Sequence, residues 1–140
     1  MTDPDAPRRQ RAYVTQLSEL LDAGRHGDAM ALFMKTIGLP EGMIAGMRNS
    51  PMWPGMAAVA PTLLYDATIM GDSMVPTSLV ASIKAPTLVL DGSETGAWAA
   101  NSARALTAAL PNPQHHTLEG QAHNVAWDVL APVLKEFLTG

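Results

Sequence analysis

Two kinds of apolar spacing divide this chain. From about Arg8 to Val75 the apolar residues recur at three- and four-residue intervals, the period of a helix with one buried face. Tyr13, Leu17, Leu20 and Leu21 form the first such stripe, and Gly24 stands where a C′ glycine ends a helix. Asp28 is placed to cap a second helix carrying Ala31, Leu32, Met34, Lys35 and Ile37, which Gly38 ends. Pro40 opens a short third helix through Met47, broken by Asn49–Pro51. A fourth helical stretch starts near Pro54, restarts at Pro61 and runs to Gly71. No strand signal occurs in this half.

From Ile83 the pattern changes. PTLVLDG, Pro86 to Gly92, is a short apolar run bounded by proline and glycine, the signature of a strand covered on both faces. GAWAANSARALTAALP follows as a helix with Ala99, Ala103, Leu106 and Leu110 on one face. PQHHTLEG alternates polar and apolar residues as a second strand, and Val125 to Leu138 closes as an amphipathic helix with Val129, Val133, Leu134, Phe137 and Leu138 inward. Pro132 within it either bends the helix or marks its first turn. The order β-α-β-α predicts two parallel strands joined by a right-handed crossover. The fold class is therefore α/β, in three segments: a tail (1–7), a helical region (8–82) and a β-α-β-α part (83–140). Two parallel strands alone leave both edges without a neighbour, and the sequence offers no third. The strands are expected to dock on a sheet from other polypeptide: a second copy, a partner, or an N-terminal part of the same protein.

Composition narrows the chemistry. A chain of 140 residues suits one domain, and a charge of −4 disfavours nucleic acid as a partner, although Arg8, Arg9 and Arg11 cluster near the start. Without cysteine there are no disulfides or thiolate metal ligands, and a cytoplasmic location is consistent. No apolar run is long enough to span a membrane, and MTDPDAPRRQR lacks the apolar core of a secretory signal. His115 and His116 adjoin on a strand and point to opposite faces, so they cannot share one ion, and His26 lies in a turn. No metal or cofactor is expected. Nine methionines, Met34 and Met52 among them, are gathered mostly in the helical half with Trp53. They read as that half's own core or as an adaptable apolar pocket for an acyl group, with Trp53, in the broken PMWP turn, nearest a ligand. Trp98 and Trp127 read as packing residues.

Together AGRHGDAMALFM, SPMWPGMAAVAPTLLYDATIMGD, IKAPTLVLDGS and LEGQAHNV resemble the distal half of actinobacterial α/β-hydrolase-fold proteins, over nearly the whole chain from Arg8. The resemblance implies a lid, the penultimate strand, a helix, the last strand, a histidine turn and a C-terminal helix. It places His123 at the general base of a Ser-His-acid site and the acid just past the strand that ends at Gly92. Thr95 occupies that position, a departure, and Glu94 beside it is assigned as the acid, with Asp3 or Asp5 as alternatives. The family's G-x-S-x-G elbow and oxyanion loop belong to its first half, so Met1 reads as an internal methionine of a longer frame. Ester or acyl hydrolysis is thus the expected lineage, with the chain alone expected to be inactive; the alternative is a non-catalytic half-fold that dimerises or holds an apolar ligand. Gly71-Asp72-Ser73-Met74 resembles the GDSL block of another serine-hydrolase family, but it follows a helix at mid-chain, where Ser73 suits a helix-ending turn.

Overall fold

The computed structural model describes residues 3–140. Met1, on which the internal-start reading rests, lies outside them, as does Thr2. The chain folds as two compact units, Pro4–Met74 and Val75–Gly140.

The first unit holds α1 (Ala6–Asp22), α2 (His26–Thr36), α3 (Glu41–Arg48), α4 (Trp53–Ala58), a 3₁₀ turn (Ala60–Thr62) and α5 (Leu63–Met70). Gly24 and Gly38 end α1 and α2 as the pattern predicted. Both have positive φ, and in each case the next residue's N–H reaches back to the helix: Arg25 to Leu20 O and Leu39 to Met34 O. These are Schellman closures, which need the left-handed backbone that glycine adopts without strain. Asp28 is not the cap of α2. The helix begins at His26, and Asp28 sits in its first turn, bonded to Arg25 Nε at 2.8 Å and Arg48 Nη2 at 2.7 Å. These bonds hold its carboxyl below the usual carboxylate range, Arg48 having the larger effect. Leu17, Ala29, Met30, Met34, Ile44, Ala60 and Leu63 form the core, with Trp53 packed against it. Ser73 follows α5 in a helix-ending turn, its own φ at 60° and the neighbouring Asp72 side chain accepting the Met74 N–H.

The second unit is α6 (Thr77–Val80), β1 (Thr87–Gly92), α7 (Ala97–Ala109), β2 (Pro113–Leu118) and α8 (Trp127–Thr139). It starts earlier than the change of period at Ile83, because Val80 is buried with Val89, Ala103 and Leu110. β1 and β2 are parallel, from Thr87 opposite Pro113 to Gly92 opposite Leu118, and they form the whole sheet among the described residues. Their odd-numbered side chains, Val89 and Asp91 beside His115 and Thr117, share the face that carries the contacts to α7.

The last helix is apolar around more than half its circumference. At roughly 100° per residue, Val129, Leu130, Val133 and Phe137 form one arc, and Trp127, Ala131, Leu134 and Leu138 the adjoining one. The first arc is half-buried. In the second, Trp127 and Leu138 are 81% and 77% exposed. Pro132 lies inside α8 rather than at its start. No helix among the described residues is long and apolar enough to cross a membrane.

Candidate functional site

In a parallel α/β unit the loops leaving the carboxyl ends of adjacent strands emerge side by side, where functional side chains collect. Here the exit of β1 and the exit of β2 are tied together by three hydrogen bonds. The Ser93 N–H donates to Leu118 O at 3.0 Å, the Glu94 N–H to Gln121 O at 2.9 Å, and the Gly120 N–H to Ser93 Oγ at 2.8 Å. Two glycines make this possible. Gly120 turns the chain with φ +68°, and Gly92 lets the Gln121 backbone approach so closely that a Cβ there would stand 2.2 Å from Gln121 O. A further bond, Ala126 N–H to Gln121 Oε1 at 2.9 Å, holds the segment that leads into α8.

His123 rides on this stitched turn. Its imidazole is exposed and lies against the Trp98 indole at the start of α7, with ring centroids 5.8 Å apart and planes tilted by 55°. Trp98, which reads from sequence as a packing residue, is 62% exposed and is thus part of the histidine's immediate surroundings. A cleft of about 350 Å³ opens beside both rings, walled by β1, by Ala99, Ala103 and Leu106 of α7, and by Leu130 of α8.

Glu94 is exposed, and its backbone is bound to Gln121, two residues before His123. Among the described residues no hydrogen bond joins its carboxylate to the imidazole. Asp5 pairs with Arg8 at 3.2 Å at the start of α1, and Asp3 is exposed just before it. The other acid near the strand ends is Asp91. Its carboxylate, with 6% of the side chain exposed, accepts from His115 Nε2 at 2.9 Å and Thr117 Oγ1 at 2.9 Å. Burial pushes its pKa up, but the hydrogen bonds from His115 and Thr117 together with the charges of His115 and Arg104 outweigh it and hold the carboxyl below its ordinary value. This trio clamps β1 to β2 on the α7 side. The signal in the sequence is the polar alternation along β2, which sets His115 and Thr117 on one face, beside Asp91.

In the first unit, Met34 is enclosed in the core at 4% exposure, whereas Met52 is 69% exposed. Trp53 is half-buried, with the Arg48 guanidinium 5.4 Å above its ring. The three therefore do not form one lining. His115 is engaged with Asp91, and its neighbour His116 is on the opposite face of β2; among the described residues no group of three or more His, Asp or Glu is arranged to hold a metal.

A solved structure, that of an alpha/beta hydrolase from Sphaerobacter thermophilus DSM 20745, matches 99% of this chain at 47% identity with a TM-score of 0.75. The chain belongs to the α/β-hydrolase family. It spans about half, 51%, of that hydrolase, and its two parallel strands are a partial version of the α/β-hydrolase fold. No protein-family model and no curated protein matches this chain. The stitched turn, the cleft and the exposed imidazole lie together at the carboxyl ends of the two strands.

Proposed function

We propose that this chain is the lid-bearing and histidine-bearing part of a Ser-His-acid hydrolase of ester or acyl substrates, and that its nucleophile comes from polypeptide this chain does not span. His123 accepts the proton of that serine as its oxygen attacks the substrate carbonyl, then delivers the proton to the departing alkoxide. Water attacks the acyl-enzyme by the same exchange, releasing the acid and restoring the serine. Glu94, whose backbone is bound to the turn that carries His123, is the carboxylate that holds the imidazole in the correct tautomer; Asp3 and Asp5 are the alternatives. The helical unit corresponds to the lid, with Met52 and Trp53 as its candidate apolar ligand contacts and Met34 in its own core. The observation that carries this reading is the fixed turn with its exposed imidazole at the mouth of an apolar cleft, in a chain 47% identical to a hydrolase.

The test is reconstitution. This chain is co-expressed with the portion of the S. thermophilus hydrolase outside the matched half and assayed on p-nitrophenyl esters of graded chain length. Turnover is expected from the pair and not from the chain alone. His123→Ala should lower kcat by about 10³-fold or more, and Glu94→Gln by a smaller factor. Retention of turnover in His123→Ala would remove the base assignment. A full effect of Asp3→Asn or Asp5→Asn with none from Glu94→Gln would move the acid. Fluorophosphonate is expected to label the added portion; labelling of this chain that Ser73→Ala abolishes would put the nucleophile here instead. A self-associating chain that binds an apolar dye yet gives no turnover with the added portion would favour a non-catalytic half-fold.

A further inference from the structure

His123 is the reacting group of the proposed hydrolase, yet little holds its ring. Among the described residues neither imidazole nitrogen has a hydrogen bond, and the side chain is exposed. The backbone bonds that fix the turn beneath it do not reach the ring. An exposed side chain without a partner divides its time among staggered χ1 rotamers. A given serine oxygen is met by a ring nitrogen in one of these, and the others are unproductive.

One aromatic side chain does meet the imidazole. The Trp98 indole lies 5.8 Å from it between centroids, tilted by 55°. Aromatic pairs attract at about 4.5–7 Å in tilted or offset arrangements. Trp98 is built to act as a brace. It is the second residue of α7, so the helix fixes its backbone, and its carbonyl also accepts the Ser102 hydroxyl at 2.9 Å. Its indole rests over Gly96, where a Cβ would stand 3.4 Å from Cδ1 and 3.6 Å from Nε1. A rigid bicyclic side chain loses little freedom when held in this way. The two rings come from different loops, Trp98 beyond the exit of β1 and His123 beyond the exit of β2. The bonds of Ser93, Glu94 and Gly120 that join those loops therefore hold the rings at their spacing.

We infer that Trp98 is the positioning residue of His123: its indole, seated on Gly96, confines the imidazole to the rotamer that lines the cleft. The inference rests on the proposed hydrolase reading for the use of that rotamer, whereas the confinement itself does not depend on catalysis. Its role differs from that of Glu94. A carboxylate at one nitrogen selects the tautomer, and the indole restricts the swing of the ring about χ1. A ring contact of this kind favours one arrangement by about 2- to 10-fold. Without it the imidazole returns to several rotamers, and turnover falls with the fraction that stays aligned. At 62% exposure the indole adds little to the core, so its removal leaves the fold intact.

Three-bond Hα–Hβ couplings of His123, measured by NMR in the full chain, report its χ1 rotamer and test the inference without turnover. The wild type and Trp98→Phe should show the couplings of a single rotamer. Trp98→Ala should show averaged couplings with an unchanged circular dichroism spectrum. Trp127→Ala removes an indole that is 81% exposed at the start of α8 and should leave the couplings as they are. In the hydrolase reconstituted with the S. thermophilus portion, Trp98→Ala should lower kcat on p-nitrophenyl acetate by about 3- to 10-fold at unchanged KM, and Trp98→Phe should restore it. Averaged couplings in the wild type, or wild-type couplings retained in Trp98→Ala, overturn the inference. So does a kcat that Trp98→Ala leaves unchanged; a raised KM beside it would make the indole a wall for the substrate instead. If the wild-type pair gives no turnover, the hydrolase reading fails and the couplings alone decide this inference.

Discussion

Replacing Gly92 with alanine is the sharpest test of the stitched turn. The added Cβ would stand 2.2 Å from Gln121 O, 2.8 Å from Gln121 C and 2.9 Å from Thr95 Oγ1. The closest carbon–oxygen approach normally seen is about 3.3 Å, so the Gln121 carbonyl must retreat by about 1 Å. That carbonyl accepts the Glu94 N–H at 2.9 Å, and a retreat of this size takes the bond beyond useful length. Overpacking costs about 1–3 kcal/mol and the lost hydrogen bond about 1 kcal/mol. Reduced unfolded-state freedom returns about 0.4–1 kcal/mol, leaving a net loss of about 2–3 kcal/mol. Urea unfolding followed by circular dichroism should show a midpoint lower by about 1 M. In the reconstituted hydrolase, an imidazole displaced by about 1 Å should lower turnover by about 10²-fold. Gly42→Ala is the control. It lies in α3 with nothing within 4 Å of its Cβ and should be neutral or stabilising. If Gly92→Ala unfolds at the wild-type midpoint and leaves the His123 ring resonances in place, the reasoning about this contact is wrong.

Other substitutions probe the scaffold of each unit. Leu17, with no exposed surface in the helical core, should cost about 3–4 kcal/mol on truncation to alanine, read from urea midpoints. Asp28→Ala removes the acceptor shared by Arg25 and Arg48. Because the site is one-third exposed, the loss should stay near 1 kcal/mol and shrink in high salt. Asp91 titrates below its unfolded value, so its stabilisation is fully present above the ordinary carboxylate range and is lost as pH falls through its lowered folded pKa. Thermal midpoints across the acid limb should therefore fall less steeply in Asp91→Asn than in the wild type, from a lower starting point. Trp98→Ala should shift the His123 ring protons in NMR spectra by removing the indole ring current; unchanged shifts would contradict the ring contact.

Much of this arrangement was legible before the structure. The stops at Gly24 and Gly38 were readable because a Schellman closure demands a left-handed residue and glycine provides it at little cost. β1 was readable because its apolar run is bounded by Pro86 and Gly92, and the parallel pairing followed from the intervening helix. α6 was not, since four residues between Pro76 and Ala81 carry too little periodicity, and the unit boundary at Val75 depends on where Val80 is buried. Asp28 misled because an aspartate at a helix start reads as a cap, whereas two arginines, one of them 20 residues away, decide its place. His123 was found through a family resemblance. The bonds that orient its turn join Ser93 and Glu94 to Leu118, Gly120 and Gln121 across α7, and no local pattern announces contacts of that range.

Those bonds also impose an order on assembly. Their donors and acceptors lie on either side of a thirteen-residue helix, so none can close until α7 has packed back and the strands have met. The histidine's perch is thus completed late in folding, and fraying of the last rung, Gly92 opposite Leu118, would dismantle it first. Heat or mild denaturant should cost this molecule its poised imidazole well before its helices melt.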